Sequence, residues 1–394
     1  METLCFEGYY TRRLARSREF IHRHVEDELD KKFSEFCNQM LQEEFAIQSG
    51  AEWYERSQER VDRRNGHYRR RLVTGRGVVD LKVPRGERKN YKYTLFEKNQ
   101  RKTSKFDEIV VDALLKGHSS RKASKFFENM FGAGTISHQA AVSALKKFDV
   151  ELARWKREKV ENKPVILVLD AVHLKGVIPH YKYAKPVLFA YAVYSDGREE
   201  VLDFELVCGE STNAYYRFCL NLYDRGLQDV ELVVHDDNAA ISEAVSLVWP
   251  KALDQQCVFH ILKNLNKKLV DCKDKKAIMH YASWLYEAES EEEFYRWAQK
   301  FKNKWLKYQN HPAIKYFFKM IPKSIRYYQL PEKYWRIAKT SNRLERLFEE
   351  LKRRIKVFRR FPNPASCKRW LYALLRELNK ANLDYTLLES QHNS

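Results

Sequence analysis

Two apolar runs that each lead into an aspartate, a glutamate near the start of a late amphipathic helix, and an order of three strands, a helix, then alternating strand and helix predict an α/β protein. Asp170 ends Val165-Ile166-Leu167-Val168-Leu169, Asp236 closely follows Leu232-Val233-Val234, and Glu345 lies more than a hundred residues further on. Parallel strands place such ends at the carboxyl edge of a sheet, where α/β proteins bind ligands. Two strand carboxylates and one on a late helix are how a ribonuclease-H-like core builds a two-metal phosphoryl-transfer site. The predicted architecture is such a core interrupted by an α-helical insertion. A mainly helical DNA-binding region with a β-hairpin and a helix-turn-helix precedes it.

Composition sets the bounds. The 394 residues have room for two or three domains, and a hydrophobic fraction of 44% argues against disorder. Lysine and arginine number 72 against 53 aspartates and glutamates, and this surplus of +19 points to DNA or RNA bound in a salt-dependent way. No run approaches about 18 consecutive apolar residues, so no membrane partner is expected. Met1–Arg13 lacks the apolar core of a signal peptide, and 7 cysteines without a Cys-x-x-Cys pair suit a reducing cytoplasm.

Along the chain, Phe20, Ile21, Val25, Leu29, Phe33, Phe36, Met40 and Leu41 recur at helical spacing, which predicts a helix over Phe20–Ile47 within a helical region at 1–60. In 61–106, Arg70–Val73 and Val78–Val83 flank Thr74-Gly75-Arg76-Gly77, a hairpin signal closed by Pro84. Its Arg69, Arg70, Arg71 and Arg76 read either as a solvated edge that blocks strand pairing or as phosphate contacts. Three helical patterns fill 107–155, broken at Gly117 and at Gly132-Ala133-Gly134, with Ser137 as N-cap of the third. That third helix runs through Ala140, Ala141, Leu145 and Phe148, and in a DNA groove it would offer His138, Gln139 and Ser143.

Residues 164–270 hold the first part of the core. One strand ends at Asp170, the next two are Pro186–Tyr194 and Glu200–Val207, and Asn213–Arg225 is a helix stopped by Gly226. Glu231–Val234 leads into Asp236, Ala239–Val248 is helical, and Asp254–Phe259 is a short strand running into a helix over Ile261–Val270. Residues 271–336, helical and dense in aromatics, read as an insertion with its own core, base stacking being the sharper alternative. Residues 337–394 return to the core with a helix from Asn342, striped by Leu344, Leu347, Phe348, Leu351, Ile355 and Phe358.

Carboxylates are hard oxygen ligands, so Asp170, Asp236 and Glu345 suit two Mg²⁺ ions, with Mn²⁺ as the substitute. Glu345 has a second explanation, because Asn342-Arg343-Leu344-Glu345 fits a capping box, and spacing alone favours capping. Asp237 competes with Asp236 as a ligand, and Asp236 is preferred as the first carboxylate past its apolar run. Cys257-Val258-Phe259-His260 looks like half of a zinc site with no second half, which favours a packed cysteine and a hydrogen-bonded histidine.

These motifs, in order, resemble the mutator-type bacterial insertion-sequence transposases. The resemblance rests on Leu169-Asp170-Ala171-Val172-His173-Leu174-Lys175, Val233-Val234-His235-Asp236-Asp237, Cys257-x-x-His260 and Thr340-Ser341-Asn342-Arg343-Leu344-Glu345-Arg346-Leu347. Arg64-Asn65-Gly66-His67-Tyr68-Arg69-Arg70, Val83-Pro84-Arg85-Gly86, Gly117-His118-Ser119-Ser120-Arg121 and Phe361-Pro362-Asn363 are similar too, so it covers roughly residues 60 to 365. It implies a DDE transposase with Asp170, Asp236 and Glu345 as the metal-binding triad, which reverses the capping preference for Glu345. It implies a structural role for Cys257 and His260, and a DNA-holding role for Lys352. Element ends would be cut by hydrolysis and the freed 3′-OH would attack a second phosphodiester, with a circular intermediate. His235-Asp236-Asp237-Asn238 departs from the more usual Ser-Asp-Ala-His, and Glu349-Glu350 makes the helix more acidic than the family leads one to expect.

The expected partners are double-stranded DNA, as terminal inverted repeats and as target, and a second copy of the chain to bring two ends together. Lys352, Arg353, Arg354, Lys356, Arg359 and Arg360 form a basic ridge beside Glu345 for the DNA backbone. The expected location is the bacterial cytoplasm, at the nucleoid. Two rival readings remain: a non-catalytic DNA-binding regulator breaks no strand, and a ribonuclease-H-like structure-specific nuclease joins none.

Overall fold

Alternating burial makes the first two strands. Leu72, Val79, Leu81 and Val83 are buried while Arg69, Arg71 and Asp80 are exposed. Thr3–Ser49 (α1) is one long helix, and it covers the apolar face of the antiparallel hairpin Arg64–Thr74 (β1) and Gly77–Gly86 (β2). Cys37 and Leu41 of α1 share a cluster with Leu72, Leu81 and Val83. Ser104–Leu115 (α2), Ser120–Phe131 (α3) and His138–Ala144 (α4) follow, with Thr103 capping α2 and Ser119 capping α3. The Ser137 hydroxyl accepts from Ala140 N at 3.1 Å, as its N-cap reading requires. The third helix stops earlier than its pattern predicts, because Leu145–Lys147 tighten into a 3₁₀ turn.

The computed structural model describes residues 3–52, 54–88, 91–132, 135–174, 185–270, 272–339, 342–356, 361 and 363–392, without the side chains of 3–23, 185, 342–345, 378 and 380–392. The chain divides into two units, Met1–Ala144 and Leu145–Ser394. Among the described residues no helix is long and apolar enough to cross a membrane.

The second unit begins with Phe148–Trp155 (α5) and is built on a mixed sheet. Ile166–Leu174 (β3), Lys185–Val193 (β4), Glu199–Leu206 (β5), Leu232–His235 (β6) and Leu253–Gln256 (β7) lie in the order β5-β4-β3-β6-β7. β4 is antiparallel to β3 and β5, whereas β6 is parallel to β3 and β7 to β6. Antiparallel neighbours need only turns; the later strands need crossovers, supplied by Thr212–Asp224 (α6) and Ala239–Val248 (α7). Leu167, Leu169 and Val233 pack with Tyr215, Phe218, Ile241 and Val245 of those helices.

Val258–Lys268 (α8) leaves the sheet and opens the insertion of Lys275–Trp284 (α9), Glu291–Lys304 (α10), Pro312–Ser324 (α11) and Trp335–Ala338 (α12). Its aromatics mostly pack, with Phe294, Phe301, Phe317 and Tyr327 buried, while the half-exposed Trp284 stacks on Trp297 at 3.9 Å. Asn342–Ile355 (α13) returns to the sheet, where Phe348 meets Phe189 at 5.1 Å between ring centroids. Pro364–His392 (α14) closes the unit through Arg369 and Arg376, which pair with Asp149 and Glu151 of α5.

Two strand boundaries differ from expectation. β3 continues past Asp170 to Leu174, because β4 pairs with it along that whole length. The strand read over Asp254–Phe259 stops at Gln256, and Cys257 instead becomes the N-cap residue of α8.

An ion cluster ties α5, β5 and α6 together. Asp203 is 2% exposed and accepts from Arg225 Nη1 at 2.7 Å and from Lys156 Nζ. Asp203→Ala leaves the buried Arg225 without a counter-charge, while Lys156 keeps Glu205 at 3.2 Å, and is expected to cost about 3–5 kcal/mol in urea unfolding. Arg71→Ala, in the exposed 3.6 Å pair with Asp80, is expected to cost under about 0.5 kcal/mol. Equal costs would contradict the cluster's role.

Candidate active site

The parallel ladder between β3 and β6 runs Ile166↔Leu232, Leu167↔Val233 and Val168↔Val234. Asp170 and Asp236 each stand two residues past the last of these pairs, so Asp170 lies in mid-strand yet at the edge of the parallel pairing. Asp170 is 9% exposed, and its Oδ1 accepts from Ala171 N at 2.7 Å. Asp236 Oδ1 is buried and has no hydrogen-bond partner among the described residues. Burial raises the Asp236 pKa, and the charges of Glu210 and Asp237 add to this against the opposing His235. A carboxylate with an unsatisfied buried oxygen, crowded by like charges, is a fitting ligand for a divalent cation.

Side chains around Asp236 fix its turn. His235 is buried between two acceptors, the Asp236 carbonyl at 2.6 Å from Nδ1 and Asp254 Oδ1 at 2.5 Å from Nε2. Asp237 is exposed and turns toward the insertion, where Tyr316 of α11 accepts from Asn264 Nδ2 at 3.3 Å. Burial, with Asp237 as a hydrogen-bonded neighbour and the Asn264 amide opposing, pushes the Tyr316 phenol up to about 12. Burial also raises the Tyr215 phenol, together with the charges of Glu210, Asp236 and Asp170, so all three carboxylates act on one hydroxyl.

Glu210 escaped the sequence reading. It accepts from His173 Nε2 at 2.6 Å, Tyr215 Oη at 3.1 Å and Asn238 Nδ2 at 3.1 Å. The available signal was its place just ahead of Ser211, the N-cap of α6, on a connection leaving the sheet.

Glu345 belongs to α13, three residues before Phe348, and its side chain lies outside the described residues, as do those of Asn342, Arg343 and Leu344. Among the described residues no three His, Cys, Asp or Glu side chains are grouped to hold a metal. Cys257 is buried; its N–H donates to the His235 carbonyl at 2.7 Å, and Val258 N donates to the Lys339 carbonyl at 2.9 Å. The start of α8 thereby joins the end of β6 to the approach to α13. His260 stands in the first turn of α8, and burial, helped by Lys263 and Lys267, lowers its pKa to about 4.

The basic residues divide into exposed and engaged ones. Arg69, Arg71 and Arg76 are exposed, and so are His138, Gln139 and Ser143 on α4, opposite the buried Ala141 and Ala144. A groove of about 830 Å³ lies among Tyr68, Arg69, Arg71, Arg101, Lys102 and Ser137. Arg70 is half-buried, stacked over the Phe96 ring at 4.0 Å and donating to the Gln100 carbonyl. Lys352 and Arg353 on α13, and Lys356 just past its end, are exposed, while Arg353 and the less exposed Arg354 both bind Glu350, at 2.7 and 2.5 Å, and hold its carboxyl down to about 2. Phe358, Arg359 and Arg360 lie outside the described residues.

Residues 9–383 match the model of the family described as Transposase, Mutator family. The chain is 31% identical to the transposase for insertion sequence element ISRM5 of Rhizobium meliloti, over 87% of this chain and 85% of that protein. It is 29% identical to the transposase for IS406 of Burkholderia multivorans, over 84% and 85% of the two chains. It is 25% identical to the transposase for IS256 in transposon Tn4001 of Staphylococcus aureus, over 94% and 95%.

The lowered His260 pKa makes the stability of the fold depend on pH. The unfolded chain takes up this proton near 6.5 and the folded chain only near 4, so the stabilising contribution is complete above 6.5 and is lost as pH falls toward 4. Between pH 7 and 5 the loss is about 1–2 kcal/mol. His260→Asn is expected to show a smaller fall in melting temperature over that interval; an equal fall would contradict a buried neutral ring.

Proposed function

This chain belongs to the Mutator family of transposases, and we propose that it is the DNA transposase of an insertion sequence, with a ribonuclease-H-like core in which Asp170, Asp236 and Glu345 hold the divalent metal. The observation that carries the reading is the buried, unpartnered Asp236 Oδ1, level with Asp170 at the end of one parallel ladder. Bound there, Mg²⁺ or Mn²⁺ supplies the Lewis acidity that activates an attacking oxygen and stabilises a leaving one.

The chain's own part is to hold that centre. β3, paired on both sides, fixes Asp170; the His235 ring fixes the turn carrying Asp236; Phe348 on Phe189 anchors the helix that carries Glu345. Asp236 is the ligand, in preference to the exposed Asp237, which neighbours the Tyr316 hydroxyl. Cys257 and His260 are structural, securing the junction between β7 and α8, where Cys257 N is bonded to the end of β6. One site serves both hydrolysis at the element ends and attack by the freed 3′-OH, so no covalent protein–DNA bond is needed, and a circular intermediate follows from joining one end to the other strand.

Terminal inverted repeats are bound by the first unit, with Arg69, Arg71 and Arg76 on phosphates and His138, Gln139 and Ser143 of α4 toward the bases. Lys352 and Lys356 hold DNA backbone beside the centre. Two ends held together call for at least a dimer on target DNA, in the bacterial cytoplasm at the nucleoid.

End-labelled terminal DNA tests the site assignment. Asp170→Asn is expected to bind the DNA normally and to lose Mg²⁺-dependent cleavage by about 10³-fold or more, while Asp237→Asn cuts nearly as wild type. Cleavage by Asp170→Asn would remove that residue from the site, and a dead Asp237→Asn beside an active Asp236→Asn would reverse the choice of ligand. For the DNA surface, Arg69→Ala is expected to lower the slope of log affinity against log salt by about 1. Arg70→Ala is expected to lower the melting temperature instead, and a salt-slope change without a thermal one would contradict its packing role.

A further inference from the structure

The geometry points to Glu210 as a positioning residue that clamps the two aspartate-bearing segments together, an inference that rests on the metal-site reading above. Three donors from three elements meet on its carboxylate. His173 Nε2, on β3 three residues beyond Asp170, donates to Oε1 at 2.6 Å. Asn238 Nδ2, two residues beyond Asp236, and Tyr215 Oη of α6 each donate to Oε2 at 3.1 Å. The opposite end of the Asn238 amide accepts from Ala240 N at 3.0 Å and caps α7. One amide therefore sets where α7 starts and how the Asp236–Asn238 turn lies against β3.

A carboxylate has about four acceptor positions, and three donors occupy most of those on Glu210. With its side chain only 22% exposed, it has little left to offer an ion. It is not grouped with two other candidate ligands among the described residues either. Its chemistry is that of a bracket: rigid, charged and hydrogen-bonded to both strands' continuations, where an added bond fixes ligand direction.

Mn²⁺ binding to the purified full-length chain without DNA, measured by titration calorimetry, tests the clamp. Asp170→Asn serves as reference, and melting temperature in chelator reports folding. Glu210→Gln is expected to weaken Mn²⁺ binding about 10-fold at an unchanged melting temperature. Asn238→Ser keeps an N-cap hydroxyl and the Glu210 charge but drops the Nδ2 bond, and is expected to weaken binding about 3-fold. The double variant is expected to bind no more weakly than Glu210→Gln, because both changes open one bracket. Unchanged binding in Glu210→Gln while Asp170→Asn has lost it would overturn the clamp alone. Losses in the double variant that multiply would also overturn it, as would loss in Glu210→Gln as complete as in Asp170→Asn, which would make Glu210 a ligand. If Asp170→Asn binds Mn²⁺ like wild type, the metal-site reading falls and the clamp with it. Should Glu210→Gln fail to fold, Asn238→Ser decides by the same titration: unchanged binding there overturns the clamp.

Discussion

The parallel pairing of Ile166–Val168 with Leu232–Val234 is the constraint on which the candidate site depends. Adjacent strands lie about 4.8 Å apart, so continuing both by two residues brings Asp170 and Asp236 close together. A slip of one residue would turn Asp236 to the other face and separate them. The ladder is short, and its stiffness comes from its neighbours: β4 holds β3 from Ile166 to Leu174, and β7 holds β6 through Gln256. Like charges at such spacing oppose folding. Burial first, and then the charges of Glu210 and Asp237, raise the Asp236 pKa, and hydrogen-bond donors are directed at Glu210, the third carboxylate beside them.

The insertion meets the sheet beside this edge, where Gln255 Nε2 of β7 donates to the Ser324 carbonyl of α11 at 2.7 Å. Val258 N donates to the Lys339 carbonyl, so the helix that starts the insertion grips the segment that ends it. Tyr316 of α11 lies beside both consecutive aspartates, with Asp237 as its hydrogen-bonded neighbour. The chain carries +19 overall, yet several cations near the late helix are neutralised locally, as Arg353 and Arg354 are by Glu350. The count of lysines and arginines therefore overstates how many basic side chains are free to face a polyanion.

Much of the second unit was legible because its signals are local. Val165–Leu169 has no polar residue to expose and marks where β3 begins, and Ala239–Val248 shows its helical period and its stop before Pro250, so that helix falls where its residues predict. Strand ends were less legible, because they depend on partners. Asp170 looks terminal by sequence, yet β4 extends the pairing beyond it; Asp254–Phe259 looks extended, yet the helix takes over at Val258. Arg70 shows the same limit in the first unit, since nothing in Arg69-Arg70-Arg71 tells which guanidinium lies on Phe96. Glu210 was illegible for a further reason: its role comes from His173, Tyr215 and Asn238, which only the folded sheet brings to one point.

The most direct measurement replaces Mg²⁺ with Fe²⁺, adds hydrogen peroxide and ascorbate, and lets the hydroxyl radicals that bound Fe²⁺ forms from the peroxide cut the polypeptide nearby. If Asp170, Asp236 and Glu345 surround one metal centre, the 394-residue chain is cut near 170, near 236 and near 345. Excess Mg²⁺ suppresses all three cuts, and Asp170→Asn loses them. Cuts near 170 and 236 with none in α13 would contradict the place given to Glu345, and cuts confined to the Cys257–His260 turn would contradict the metal site itself.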